Sequence, residues 1–205
     1  MPMRRMSRFI LIILATMAIG ACGSGRPIHY YTMELPPAPA PARSAYPVTV
    51  LIGRISAPEI LQDEPIVYRS GPNEIGTYPY HQWAEPPAQM VKDMLIRRLR
   101  ASGEYRSVAE LGSSVQGDYV LQGRLYDFEE DDTSSITVLV SMELELLDRR
   151  SRETVWTHYY SERTPVKGKE ISDVVSALDH NLAEDLTEVA SGLDAYFSAN
   201  LHRKS

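Results

Sequence analysis

The chain of 205 residues has one cysteine, Cys22, and only three Phe and two Trp. A single cysteine cannot close an intramolecular disulfide or supply the several thiolates of a zinc site. The main apolar run, from Phe9 to Ile19, has about 11 residues and would span about 16 Å as a helix, roughly half of a hydrocarbon core. The sequence therefore argues against a disulfide-stapled domain and against a permanent transmembrane helix.

Motifs of catalysis and nucleotide binding are also missing. The sequence has no G-x-S-x-G, H-E-x-x-H, Walker A or G-x-G-x-x-G pattern. Five histidines fall on separate predicted elements, without a second ligand at metal-site spacing: His29, His81, His158, His180 and His202. The sequence does not exclude a catalytic acid–base pair whose two residues are distant along the chain. We expect no enzymatic activity, no cofactor and no metal.

The acidic run Glu129 to Asp132 is the one segment with the composition of a calcium site. It lacks the spaced ligands and the central glycine of a calcium loop. We therefore interpret it as a solvated turn.

The N-terminus has the order of a bacterial lipoprotein signal peptide. Arg4, Arg5 and Arg8 precede the apolar run, and Ile19-Gly20-Ala21-Cys22 follows it as a small-residue cleavage site. The sequence predicts removal of residues 1 to 21 and acylation of Cys22, with diacylglycerol and a further chain such as palmitate, because stable anchoring takes more than one chain. The alternative is an ordinary secretory signal followed by a chance cysteine.

Cleavage would remove three of the 21 Lys and Arg residues and lower the net charge from −6 to −9. Such an acidic chain is a poor ligand for nucleic acid, and its membrane attachment must come from the lipid rather than from a basic patch. The remaining length is typical of one domain.

Residues 22–47 are predicted to be a tether that carries the lipidated Cys22. Pro36 to Pro41 is rich in Pro and Ala and favours an extended polyproline II conformation, so the segment could reach roughly 75 Å. Tyr30 to Met33 interrupts it with a β-prone patch that could dock as a first strand, and the free tether would then be shorter. We place the folded domain at residues 48–200.

Its first half is predicted to contain a strand, a hairpin and a helix. Val48 to Ile52 is a β-branched run that ends near Gly53, and turn residues divide Pro65 to Trp83 into two short or edge strands. Pro86-Pro87 opens a helix with apolar residues at helical spacing, and Gly103 ends it.

The second half is predicted to be a three-strand meander followed by a long helix. Tyr119 to Phe128 is a strand, Ile136 to Leu147 alternates apolar and polar residues, and a third strand carries Val155 to Tyr160. An apolar stripe from Ile171 to Phe197 is wide enough to cover the sheet, although a coiled coil is an alternative. The predicted class is α+β, a mixed or antiparallel sheet with this meander, covered by one shorter and one long C-terminal helix.

Two features are candidate partner surfaces. The long helix has acidic residues on its predicted outer face, a solvated face being the alternative: Glu170, Asp173, Asp179, Glu184, Asp185, Glu188 and Asp194. Tyr78, Tyr80 and Trp83 lie in a segment interrupted by Pro and Gly, and could receive an added strand or a partner loop. Packing over the N-terminus of the first helix is the alternative for these aromatics.

These features together resemble the auxiliary lipoprotein components of ABC-type transport systems, a family that includes the lipoprotein of the paraquat-inducible Pqi system. The matching features, in order along the chain, are Cys22, Tyr30-Tyr31-Thr32-Met33, Trp83-Ala84-Glu85-Pro86-Pro87, the strand containing Gly123, Val155-Trp156 and the closing helix.

The resemblance implies a non-enzymatic periplasmic domain that works with an inner-membrane permease, an ATPase and an MCE-type substrate-binding protein to move lipids or apolar compounds between membranes. Gly23, rather than aspartate, follows Cys22, which in similar lipoproteins favours the outer membrane. Alternatives are a structural or assembly lipoprotein of the envelope, and a carrier that itself binds lipid as a ligand.

Overall fold

The computed structural model describes residues 26–34 and 46–201. The predicted signal peptide, Cys22 and the stretch from Pro36 to Pro41 lie outside the described residues. Within these ranges, eight strands form one open mixed sheet and two helices accompany it, the longer at the C-terminal end. This confirms the predicted α+β class. No helix in these ranges combines the length and the apolar character that crossing a bilayer requires.

The strands and helices follow one another with short connections. In chain order they are β1 His29–Tyr31, β2 Tyr46–Ser56, β3 Pro65–Gly71, β4 Glu74–Trp83, α1 Pro87–Ser102, β5 Tyr105–Glu110, β6 Tyr119–Asp131, β7 Thr137–Asp148, β8 Glu153–Pro165 and α2 Ile171–Leu201. A short 3₁₀ helix, Glu59–Leu61, lies between β2 and β3. Strand β5 was not predicted, and β2 extends beyond Gly53, where the sequence indicated its end.

Strand β6 is the centre of the sheet because two branches share one of its edges. Along one edge β6 pairs antiparallel with β7, which pairs with β8, so the predicted meander is confirmed. Along the other edge its N-terminal half pairs with β2 and its C-terminal half with β3, both parallel. The branch that begins with β2 continues to β5, and the branch that begins with β3 continues through β4 to β1. The sheet is therefore forked at β6.

One face of the sheet is apolar and carries both helices. The inward positions of β7 are all fully buried, as its alternation predicted: Val138, Val140, Met142, Leu144 and Leu146. The apolar stripe of α2 packs into the same core as the buried face of α1. The long helix thus covers the sheet, and the coiled-coil alternative is wrong.

Two glycines allow the backbone to follow this arrangement. Gly103 ends α1 in the left-handed region at φ 64°, and its N–H donates to the carbonyl of Arg100. Gly123 of β6 faces the helices, where a Cβ would overlap the carbonyl oxygen of Glu143 on the neighbouring strand. Both positions therefore favour the residue without a side chain.

Candidate functional site

The sheet face opposite the helices is polar, and we call it the open face. A small apolar cluster of Leu51, Ala109 and Val120 lies at one end of it. Beside that cluster is a groove of about 440 Å³, lined by Arg54, Ser56, Gln122, Gly123, Arg124, Glu143 and Glu145. The groove crosses β2, β6 and β7, which places it at the fork of the sheet.

Charges in this groove are only partly paired. Arg124 lies opposite Glu143 in the β6–β7 register, yet the Glu143 carboxylate accepts a hydrogen bond of 2.8 Å from the Tyr126 hydroxyl. The Arg124 guanidinium lies 5.5 Å from the centroid of the same tyrosine ring. No ion pair of Arg54 or Arg124 occurs within the described ranges. Two guanidinium groups therefore stay available to a ligand or partner.

The acidic end of β6 is the largest difference from the sequence analysis. Glu129, Glu130 and Asp131 are strand residues that are only 2%, 4% and 4% exposed. The predicted solvated turn is wrong because each carboxylate finds a partner from a distant segment. Arg69 Nε donates to Glu129 at 2.6 Å, the Tyr78 hydroxyl donates to Glu130 at 2.9 Å, and Arg163 pairs with Asp131.

These partners and the burial change the acidity of the three carboxyl groups in opposite directions. Burial raises the pKa of Glu129 and of Glu130 above the ordinary value of a glutamate. Hydrogen bonds from Thr133, together with Arg163, lower the pKa of Asp131 to about 2. Because Arg69 and Tyr78 belong to the β3–β4 hairpin, their bonds attach this branch to the meander. Within the described residues no group of three His, Cys, Asp or Glu side chains is placed to hold a metal ion.

The three predicted partner-binding residues do not share one surface. Trp83 is 1% exposed and packs against Phe128 in the core, with 5.5 Å between ring centroids, so it must be removed from the predicted surface. Tyr78 is partly buried, its ring lies 4.8 Å from that of Tyr68, and its hydroxyl binds Glu130. Tyr80 is 38% exposed. Of the three, Tyr80 has the most accessible side chain.

Tyr80 lies beside β1, the strand that the tyrosine patch predicted. Parallel pairing aligns Tyr31 with Trp83, and the Tyr31 hydroxyl bonds to Nδ1 of His81 at 2.9 Å. After β1 the chain passes alongside the C-terminal helix α2, and there the amide of Glu34 donates a hydrogen bond to Asp179 Oδ1 at 2.9 Å. Residues 29–34 are thus fixed to the folded domain, and the tether before them is shorter.

A pair formed by the partly buried His158 and the buried Asp185 joins β8 to α2. His158 Nε2 lies 2.7 Å from Oδ1 of Asp185, and the histidine ring stacks between Trp156 and Tyr160. Asp185 is fully buried, which corrects its predicted place on the outer face of the helix, and burial raises its pKa. Its position three residues after Leu182 and four before Val189 was a helical-spacing signal for burial. The pair faces the core and fastens the long helix to the meander.

Comparisons with known proteins agree with this fold. A family model described as an ABC-type transport auxiliary lipoprotein component matches residues 31–190. No curated protein matches the chain.

Solved structures of low sequence identity share the architecture. A crystal structure of a protein from Xanthomonas campestris is 22% identical, with a TM-score of 0.74, and the match covers 86% of this chain and 99% of that one. An uncharacterized protein is 15% identical, with a TM-score of 0.66, and the match covers 82% of this chain and 99% of that one. A hypothetical protein from Chlamydia trachomatis is 9% identical, with a TM-score of 0.52, over 75% and 99% of the two chains. At these identities the likeness shows the fold alone.

Proposed function

Because this chain belongs to the family of ABC-type transport auxiliary lipoprotein components, we propose that it is a non-enzymatic accessory subunit of an MCE-type ABC transport system. In this proposal, acyl groups on Cys22 hold it on the periplasmic face of the outer membrane. The transport system moves lipids or other apolar compounds between membranes. The family match over residues 31–190 is the observation that carries the proposal.

The open face is the proposed contact with the transport partner. It offers Arg54 and Arg124, which have no ion pair among residues 26–34 and 46–201, beside the exposed rings of Tyr126 and Tyr159. Arg and Tyr are enriched among the residues that dominate binding energy at protein interfaces. An anchored protein needs only modest affinity, because anchoring raises the effective concentration of the contact.

A non-enzymatic role is supported by the titratable groups that the fold already uses. The His158–Asp185 pair is directed at the core, and the carboxylates at the end of β6 bind Arg69, Tyr78 and Arg163. These groups join elements of the fold. The two carboxylates that line the groove, Glu143 and Glu145, likewise accept hydrogen bonds from Tyr126 and Gln122.

The anchor is tested with the intact chain and a Cys22→Ala variant in cells fed a palmitate analogue. We expect the intact chain to incorporate the analogue and to sediment with outer membranes, and the variant to do neither. A soluble, unlabelled intact chain would remove the anchor from the proposal.

The partner is tested by crosslinking in intact cells, followed by identification of the captured proteins. The intact chain should capture the MCE-type protein, and an Arg54→Glu/Arg124→Glu variant should lose this capture. The matched control is Arg97→Glu/Arg150→Glu, which changes two exposed arginines away from the groove by the same total charge. Capture of envelope-assembly proteins by the intact chain, without transport components, would favour the structural or assembly alternative.

A further inference from the structure

Ile28, Tyr30 and Tyr80 form an exposed apolar patch at the β1 end of the sheet, and we call it the edge patch. The three side chains are 44%, 64% and 38% exposed. His29 aligns with His81, so Ile28 falls beside Tyr80 on the parallel neighbouring strand. Ile28 and Tyr30 are two residues apart in extended chain and lie on the same face. The guanidinium of Arg26 is 5.8 Å from the Tyr80 ring centroid.

We propose that the edge patch rests on the lipid surface to which Cys22 is attached, with Arg26 at the lipid phosphates. This inference depends on the proposed acylation of Cys22 and adds an orientation to it. Tyr80 was predicted to receive an added strand or a partner loop, with packing over the N-terminus of the first helix as the alternative. The length of chain before the patch, the chemistry of the patch and its area favour a lipid surface instead.

The chain between the anchor and the edge patch is short. Residues 29–34 are held by β1 pairing and by the bond from Glu34 to Asp179, so they do not extend as a tether. Only five residues lie between Cys22 and Ile28. The six steps from one residue to the other, at about 3.5 Å each, span at most about 21 Å, against the roughly 75 Å predicted for the whole segment. The β1 end of the sheet is thus kept close to the bilayer.

The side chains of the edge patch have the chemistry of a membrane–water interface. Tyrosine favours the membrane–water interface because its ring is apolar and its hydroxyl is polar. Arginine beside it adds attraction to anionic headgroups. An isoleucine between two tyrosines and an arginine therefore suits a shallow interfacial contact.

The exposed area of the edge patch is too small for a stable protein–protein interface. A stable protein–protein interface buries roughly 1,200–2,000 Å² in total, and three partly exposed side chains fall well short of that. A surface already tethered within about 21 Å requires no such area, because the acyl chains provide the affinity.

This orientation also determines where the open face lies relative to the membrane. Going from β1 through β4, β3, β6 and β7 to β8 takes five strand spacings, or about 24 Å. With the edge patch on the lipid, the meander and its groove point into the periplasm. A partner that reaches across from the inner membrane then meets the open face.

The test uses single introduced cysteines in the full lipidated chain. Once Cys22 is acylated no other thiol is present, so Tyr30→Cys, Tyr80→Cys or a Ser191→Cys control gives one site for a bimane label. Ser191 is an exposed residue of α2 on the covered side of the sheet. Each labelled protein is reconstituted in phosphatidylethanolamine/phosphatidylglycerol vesicles, with and without lipids that carry a nitroxide quencher near the headgroup.

We expect about twofold quenching at positions 30 and 80 and almost none at 191. Inserting a 20-residue Gly/Ser segment after Gly25 should weaken the quenching at both sites. Unquenched labels at 30 and 80 on protein that floats with the vesicles would overturn the inference, as would equal quenching at all three positions. Protein that fails to float would instead count against the proposed anchor. Tyr30 is largely exposed, so Tyr30→Cys keeps the test valid if Tyr80→Cys does not fold.

Discussion

The two faces of this sheet are built from the same strands and have opposite chemistry. On the helix-covered face, every inward residue of β7 from Val138 to Leu146 is fully buried. On the open face the alternating positions of the same strand include Glu143 and Glu145, which bind Tyr126 and Gln122. Because the backbone is shared, the difference lies in what covers each face. The covered face should set stability, and the open face should set recognition.

The two faces also differ in how they change the pKa of an aspartate. Asp185 is buried under the long helix with His158 as partner, and burial raises its pKa. Asp131, whose bonds come from Thr133 and Arg163, has a pKa lowered to about 2. Asp131 on the open face is thus stabilised as an ion, whereas Asp185 on the helix-covered face is not.

The largest effect is expected from neighbouring residues on opposite faces. Leu144→Ala should lower the free energy of unfolding by about 2–5 kcal/mol, because it removes a fully buried side chain and leaves a cavity. Glu143→Ala, one position earlier, should change it by less than about 1 kcal/mol, since Glu143 is exposed. Urea unfolding followed by circular dichroism measures both. Similar losses in the two variants would show that the open face is also part of the stability core.

That contrast was predictable from sequence, because strict alternation in β7 identifies its apolar face. The hairpin and both helices were predictable for similar reasons, from turn residues and from Pro and Gly at the helix ends. Strand β5 was missed because its six residues include Arg106, Ser107 and Glu110 and show no clear alternation. The fork at β6 depends on which strands pair, and a single sequence does not encode that as a local pattern.

Glycines on the two faces should give the second largest effect. Gly123→Ala directs a methyl group towards the helices, into the Glu143 carbonyl and Leu144. We expect a loss of about 1–3 kcal/mol, because a backbone atom cannot move aside as a side chain can. Gly53→Ala meets the side chains of Gln122 and Val120 on the open face, at 3.0 and 3.2 Å. It should cost about 1 kcal/mol, less than Gly123→Ala, because these contacts with Gln122 Cβ and Val120 Cγ1 are tight but lack the overlap with a backbone oxygen found at Gly123. An equal cost for the two changes would contradict the close strand approach at Gly123.

The pH dependence of stability should differ in sign between Asp131 and Asp185. The folded pKa of Asp131 is about 2, below the unfolded value of about 3.9, so its contribution is present above pH 4 and lost as the pH falls towards 2. We expect the advantage of the intact chain over Asp131→Asn, about 1 kcal/mol near neutral pH after screening at Arg163, to disappear over that window.

For Asp185 the folded pKa is raised, so the folded state binds the proton more tightly than the unfolded state. Its contribution is present below pH 4 and is lost as the pH rises through the raised value. The stability difference between the intact chain and Asp185→Asn should therefore favour the intact chain more at low pH. Thermal unfolding between pH 2.5 and 7 measures both pairs, and parallel curves would contradict the assignment of opposite shifts.

The site itself was less predictable than the fold. Glu129 to Asp131 look like a polar turn, because their partners Arg69, Tyr78 and Arg163 lie between 32 and 60 residues away. Trp83 and Tyr80 belong to the same β-prone segment, and its irregular pairing with β3 hides which ring faces the core. Asp185 was also predicted wrongly, on the outer face of the helix, although its spacing from Leu182 and Val189 is the one local signal that indicated its burial. Long-range pairing of charges is the information that a single sequence lacks.

The smallest effect concerns adjacent tyrosines of β8, which point to opposite faces. Tyr160 is buried and its hydroxyl donates to the Asn181 carbonyl of α2 at 3.2 Å, whereas Tyr159 is 66% exposed. Tyr160→Phe should cost about 1 kcal/mol because it leaves that carbonyl with one acceptor site unfilled in the core. Tyr159→Phe should stay within about 0.5 kcal/mol, as a surface change does. Chemical unfolding of both variants resolves the difference, and a larger loss for Tyr159→Phe would mean that its hydroxyl on the open face holds the fold together.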